Sequence, residues 1–328
     1  MITSRWMQFL RLAAAGAGVF AVASGVAQDF PTRPIRMIVG FAPGGPTDVI
    51  ARVMAQDMTR SFGQSVIVEN RAGANSMIGT EVVARAPSDG YTLLVSTLAH
   101  NVNPILVPDK VKYHPEKDFV AVSLAAVLPM IAVTAYDSPI RSIQDLVAKA
   151  KTSPGAVTYG SAGNGGSAHL AAALLETLTG APMTHVPFKG NAPALTEVIA
   201  GRVGFMFYPM IGITDQVAQK RLKPLAVSTL TRHPDFSTVP TMAESGYPGF
   251  EEYSPGVGYL APAGTPVAIV TKLADAMRAS LARPETRERM RALGADIVGS
   301  TPAEFARWLQ QDYERWARVI KAAVVKGE

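Results

Sequence analysis

Residues 40–55 read GFAPGGPTDVIARVMA, and residues 159–175 read YGSAGNGGSAHLAAALL. Both place a glycine-rich turn after a strand-like run and before a segment with apolar residues at helical spacing. Glycine lets a backbone approach a ligand closely, and a helix start leaves N–H groups without intrahelical acceptors. Each stretch therefore reads as a cradle for an anion, helped by the positive end of a helix dipole. The first helix is expected to start at Thr47 or Asp48, the second behind Gly165 and Gly166. Phosphate is the first anion to weigh. Neither turn carries the lysine and Ser/Thr of a P-loop, neither has a G-x-G-x-x-G spacing, and neither supplies a basic side chain. A carboxylate suits neutral donors. Four or five hydrogen bonds to a charged group, at roughly 1.5–3 kcal/mol each, suffice for micromolar binding near about −8 kcal/mol after ordering costs.

Plainer roles stand beside this reading. Asp48 and Ser167 are suited to cap their helices, which is compatible with orienting amides toward a ligand. Gly44, Gly45, Gly165 and Gly166 fit ordinary turns as well, although two such turns in one chain favour a shared purpose. His169 adjoins the second turn and is placed to line the cleft, pack beneath it or act as a base. His100, just after a strand, is placed to reach the ligand, a loop or the core.

The elements that must hold these turns alternate. Strands are expected at 35–40, 65–70, 91–97, 119–127, 131–135, 157–161, 184–188, 203–208 and 223–229. Helices are expected after Thr47, at 78–86, 142–151, behind Ser167, at 192–200, 212–219, about 266–282 and 284–293, and from Thr301 onward. Thr301, Pro302 and Glu304 form a capping box for the last helix, whose face carries Phe305, Trp308, Leu309, Trp316 and Ile320. Strand–helix alternation predicts parallel sheets flanked by helices, and in open sheets ligands collect beyond the carboxyl ends of the strands. Two such turns on two α/β domains would face each other across a cleft.

Composition sets the bounds. Of 328 residues, 48% are hydrophobic and 17% charged, enough for a sizeable core and a two-domain chain. Arg5 and Arg11 precede LAAAGAGVFAVA (12–23), and small residues lead to Ala27: the layout of a cleavable export signal cut after Ala27, with a membrane anchor as the alternative. Without Arg5 and Arg11 the chain keeps 29 basic and 26 acidic side chains, too balanced to imply nucleic acid. No cysteine is present, which excludes disulfides, thiolate catalysis and cysteine–metal sites. The five histidines, His100, His114, His169, His185 and His233, show no metal-ligand spacing, and no G-x-S-x-G elbow suggests a hydrolase.

Several motifs occur together: GFAPGGPTDVIAR, VENRAGANSMIGTEVVARAPSDGYTLL (68–94), NP at 103–104, YGSAGNGGSAHL, HVPFKGNAPALTEVIAGRV (185–203) and LAPAGTP (260–266). In order and spacing they resemble the Bug-type receptors, the periplasmic solute-binding proteins of tripartite tricarboxylate transporters, from about Pro31 to the C-terminus. The resemblance implies a non-catalytic, two-domain, flytrap-like periplasmic-binding-protein fold, each domain a mostly parallel sheet flanked by helices. It implies domain one at 28–127 plus 252–328 and domain two at 128–251. It also implies a pincer on a ligand carboxylate, partly through bound waters, from Ala42, Gly44, Thr47 and Asp48 on one side and Ser161, Asn164, Gly166 and Ser167 on the other, and the turn glycines Gly45 and Gly165 are counted with that site. The partners implied are a small carboxylate and the membrane subunits of the transporter. No cofactor, metal or nucleic acid is called for, and a periplasmic monomer is expected.

The chain departs from that pattern at Ser76 and Met77, where a second glycine and a small polar residue are common, at Tyr208 in place of Asp, and near Gly256, where an aromatic is common. Tyr208 removes a partner for an amino group. Met77, Tyr208 and Met210 would line a soft distal pocket for a carboxylate with an aromatic or apolar body, unless they are ordinary core or rim residues. The rival functions are an exported receptor presenting a di- or tricarboxylate to a membrane sensor, and an exported α/β enzyme acting on a carboxylic acid.

Overall fold

The computed structural model describes residues 30–210, 212–250 and 254–323; the expected export signal at 1–27 lies outside the described residues. The first strand, β1 (Ile35–Val39), is buried at every position but Arg36, which is why the rest of it reads as an apolar run rather than an alternating one. It lies between β2 (Val66–Asn70) and β3 (Thr92–Ser96), parallel to both. The connecting helix α1 (Pro46–Phe62) buries Ile50, Val53, Met54 and Met58 and stops at the left-handed Gly63. Helices α2 (Met77–Ala84) and α3 (Ala99–Leu106) follow β2 and β3. Strand β4 (Phe119–Val127) then ends the first pass through this lobe.

The second lobe is built around β5 (Met130–Ala135), which sits between β8 (Met206–Pro209) and β9 (Leu222–Val227) and is antiparallel to both. Beside it, β6 (Thr158–Ser161) and β7 (Thr184–Pro187) pair in parallel, and a parallel bridge from Tyr159 to Phe205 joins them to β8. Helices α4 (Ile143–Thr152), α5 (Ser167–Thr179), α6 (Asn191–Ile199) and the short α7 (Thr214–Ala218) surround these strands. The chain returns through β10 (Gly256–Pro262), α8 (Val267–Ala282), α9 (Pro284–Ala292), β11 (Asp296–Ile297) and α10 (Pro302–Ala323).

The result is a two-lobed α/β fold of the periplasmic-binding-protein kind, with a first-lobe sheet ordered β11-β4-β10-β3-β1-β2. Parallel pairing holds in β2-β1-β3 and β6-β7. The return strand β10 inserts antiparallel between β3 and β4, so the sheets are mixed where the chain changes lobes. Several elements escaped the sequence reading, the short β11 among them. The segment 256–262 is rich in glycine and flanked by proline, yet it forms the buried strand β10, and α3 forms despite Pro104 inside it.

The glycines of β10 are steric requirements: a Cβ at Gly258 would lie 2.2 Å from the Phe305 ring, and one at Gly256 would lie 2.5 Å from Trp308. They let α10 lie directly on the sheet. The capping box forms as expected, with Thr301 N–H donating to Glu304 and Glu304 N–H donating to Thr301 Oγ1. Farther along, Trp316, Val319 and Ile320 pack with Leu98 and Val102 of the first lobe and Leu170 of the second, so α10 straps both lobes.

Candidate functional site

Both glycine turns follow a strand and open a helix, and their internal wiring is the same. In the first, Gly44 adopts the left-handed region (φ 81) and Gly45 precedes the helix, with Pro46 as its first residue. In the second, Gly165 is left-handed (φ 74) and Gly166 precedes Ser167. The amide of each left-handed glycine is taken by the side chain four residues on. Gly44 N–H donates to Asp48 Oδ2 at 3.0 Å, and Gly165 N–H donates to His169 Nδ1 at 2.9 Å. The first intrahelical bonds are Val49 N–H to Gly45 O and Leu170 N–H to Gly166 O, both 3.0 Å. Helix geometry thus leaves the amides of Thr47 and Asp48, and of Ser167, Ala168 and His169, without intrahelical acceptors.

This corrects two expectations. Neither Asp48 nor Ser167 is the capping residue, because each helix starts one or more positions earlier on a glycine cap. Asp48 instead ties its own turn together. Arg52 donates to both its oxygens, at 2.9 and 3.0 Å, and Asn70 Nδ2 bridges Asp48 Oδ1 and the Phe41 carbonyl. Burial alone would push the Asp48 carboxyl up, but Arg52, the Gly44 amide and Asn70 outweigh it and hold it below its ordinary value. Its charge is therefore neutralised by Arg52 and does not repel an anion at the helix start.

The second turn rests on neutral groups. His169 stacks on His185 with ring centroids 3.9 Å apart, and Tyr159 stacks on the other side of the cluster. Ser161 Oγ accepts from Gly163 N–H and donates to the Gly163 carbonyl, so the 2.6 Å contact with His185 has Nε2 as donor. Burial lowers His185 to about 4. Ser161, fully buried, braces the turn from beneath and lines no part of the cleft. His169 likewise packs under the turn.

The two turns meet at the seam between lobes. A small cavity of about 40 Å³ is bounded by Gly45 and Thr47 from one turn and Gly166 and Ser167 from the other, with Asn75 and Asn191 beside them. It opens beside a chamber of about 290 Å³ that shares Phe41, Asn75 and Ala162 and adds Met77, Leu106, Val107, Asn164, Phe188, Lys110 and Lys189. The small cavity has room for one carboxylate-sized group, since a water takes about 30 Å³ in the liquid. A larger hollow of about 700 Å³ lies on the first lobe among α3, β4 and α10 and includes neither turn. Size points there, but the convergent amides point to the seam, and it is the amides that can hold an anion.

The other expected site residues divide sharply. Gly165 packs on Val102 and Leu106, and Gly44 is exposed. Ala42 faces Gly190 across the seam, where a Cβ at Gly190 would come within 3.3 Å of it. His100 is not at the cleft. It is buried between Tyr113 and Phe119 with Nε2 on the Pro115 carbonyl, and burial lowers its pKa to about 4. Tyr208 and Met210 are core residues of the second lobe; burial pushes the Tyr208 hydroxyl up, and Met210 backs onto Gly294. Of the three residues read as a soft distal pocket, only Met77 lines the chamber. Sequence reasoning missed Phe41, Asn75, Phe188 and Asn191. Asn75 gave no signal because its left-handed turn contains alanine, asparagine and serine where glycine would mark it.

Residues 50–325 match the family of tripartite tricarboxylate transporter family receptors. The chain belongs to that family. Protein BugT of Bordetella pertussis is 36% identical to this receptor over 316 residues, covering 94% of this chain and 96% of BugT. Among solved structures, one from R. palustris with adipate superposes with a TM-score of 0.87 at 34% identity, covering 91% of this chain and 99% of that one. MatC from Rhodopseudomonas palustris with bound malate gives 0.84 at 32% identity, covering 89% and 100%. The Bug-type resemblance read from the motifs therefore holds, and the receptor is a solute-binding protein of a periplasmic family rather than an enzyme.

Proposed function

We propose that this receptor captures a small carboxylate with an apolar body between its lobes and delivers it, as a periplasmic monomer released by a cut after Ala27, to the membrane subunits of a tripartite tricarboxylate transporter. The observation that carries the reading is the pair of facing helix starts, one per lobe, around a cavity the size of a carboxylate. An anion bridging them gains its second set of amides only when the lobes meet, and that differential contact drives closure. The moving units are 28–127 plus 252–328 and 128–251, with Gly45 and Thr47 on one and Gly166 and Ser167 on the other.

Phe41, Met77, Leu106 and Phe188 make the adjoining chamber apolar, which supports an apolar body even though Tyr208 and Met210 take no part. Exposed Lys110 and Lys189 also line that chamber and favour a second reading, a linear dicarboxylate with its far end between them. Adipate in one related receptor is consistent with both, and malate in another with a dicarboxylate. The test is titration calorimetry with benzoate, hexanoate, adipate, citrate and aspartate, with small-angle scattering to follow closure. Binding of benzoate or hexanoate supports the first reading, and adipate far above hexanoate the second. Binding of citrate or aspartate alone refutes the apolar body.

A further inference from the structure

The loop between β2 and α2 turns through three consecutive left-handed residues that are not glycine: Ala74, Asn75 and Ser76, with φ of 46, 47 and 71. Such backbone is unfavourable for any residue with a Cβ, and it persists only where surrounding structure imposes it. Here it carries the Asn75 side chain across the seam onto the second glycine turn. A Cβ at Gly166 would lie 3.7 Å from Asn75 Oδ1, and Asn75 itself is only 8% exposed.

Its amide has a defined orientation. Asn103 Nδ2 donates to the Asn75 carbonyl at 2.8 Å, which turns Asn103 Oδ1 to accept from Asn75 Nδ2 at 2.9 Å. The oxygen of Asn75 is thereby the atom turned toward Gly166, which bounds the cavity, and it is buried with no hydrogen-bond partner. Asn191 Oδ1, in the wall of the same cavity, is also buried and unpartnered. A buried acceptor left unmet is unfavourable, so the site is complete only when something donates to it.

We infer that Asn75 is a specificity-determining residue that reads a hydrogen-bond donor beside the ligand's carboxylate, and that the preferred ligands are 2-hydroxy carboxylates. The inference rests on the carboxylate reading of the cleft. A bare carboxylate offers acceptors only and sets oxygen against oxygen at Asn75. A hydroxyl on the adjacent carbon supplies the missing donor while the carboxylate takes the amides of the helix starts. The chamber beyond accepts whatever the third carbon carries.

Calorimetry on matched pairs, malate against succinate and mandelate against phenylacetate, tests this on the wild-type receptor and on Asn75→Gly. Glycine keeps the left-handed turn, so thermal unfolding of the variant should not fall far. The hydroxy acid should bind the wild type about tenfold more tightly than its deoxy partner. Asn75→Gly should abolish that preference, weakening the hydroxy acid and, by removing the opposed oxygen, leaving the deoxy acid bound as well or better. Equal affinity within both pairs on the wild type, or a preference that survives in the variant, overturns the inference and leaves the carboxylate reading standing. Failure of all four acids and of the wider panel overturns both.

Discussion

The two glycine turns share a backbone and differ in what locks it. In both, a left-handed glycine gives its amide to the side chain four residues later, and the next residues begin a helix. The first turn is locked by a charge: Asp48, neutralised by Arg52 and held by Asn70. The second is locked by neutral rings: His169 on His185, with Ser161 beneath. Anion binding needs only the outward amides, so the chemistry behind them is interchangeable provided no uncompensated negative charge faces the ligand. The price of that freedom is that the two turns fail under different conditions.

The largest contrast should come from the glycines. Gly165 faces Leu106 Cδ1, which a Cβ would approach to 2.4 Å, whereas nothing lies within 4 Å of a Cβ at Gly44. Gly165→Val should therefore lower stability by about 3 kcal/mol or more, combining backbone strain with overpacking, and abolish binding. Gly44→Ala should cost only about 1 kcal/mol for its left-handed φ. Chemical denaturation with calorimetry on both variants checks the order; equal losses would remove the asymmetry.

Deleting the locks comes next. Asp48→Ala and His169→Ala each strand a glycine amide and should cost about 1–3 kcal/mol, with weaker binding in both. Only the first should make stability less sensitive to salt, because only it removes a charge pair, Asp48–Arg52, that salt screens. Denaturation midpoints at low and high ionic strength read this directly.

Acid should separate the turns without mutation. Burial holds His185 near 4 against an ordinary value of 6.5. Between those values the unfolded chain takes up a proton that the folded lobe refuses, so stability falls as pH falls through that window. The groups around His185 are His169, Tyr159 and Ser161, and Glu176 reaches the cluster through the Tyr159 hydroxyl. Asp48 has the same sign in a lower window. Its lowered pKa gives stability that is present above the unfolded carboxylate range and lost only as pH falls through the folded value. Unfolding free energy should thus fall as pH is lowered from 6.5 toward 4, above the window of Asp48, and His185→Gln should flatten part of that profile. His100 contributes a similar loss of stability in the first lobe, so His185→Gln should remove only the second lobe's share.

The smallest effects belong to the side chains at the helix starts. Thr47→Val and Ser167→Ala should each weaken carboxylate binding by about fivefold to tenfold. Neither residue caps its helix, so melting temperatures should stay unchanged. Unaltered affinity in both variants would place the ligand elsewhere.

Much of this was legible in the chain itself. The stripe of Ile50, Val53, Met54 and Met58, the buried run of β1 and the Thr301–Glu304 capping box follow from local periodicity and local hydrogen bonding. The glycine turns were legible for the same reason: a left-handed backbone before a helix needs glycine at that position. What failed needed distant partners. Strand β10 reads as a proline-flanked glycine segment because its glycines answer to Phe305 and Trp308, far along the chain. Tyr208 and His100 resemble site residues by position, yet packing turns both into the core.

The sequence alone determined that two amide-bearing turns exist and that neither suits phosphate, because those properties reside in consecutive residues. Tertiary structure decided that the turns share one cavity, that Asp48 is neutralised beside it, and that Asn75 crosses from the other lobe to present an unmet oxygen. Each of these depends on which residues meet across a seam the chain crosses twice, and residue order along one chain carries no record of that closeness.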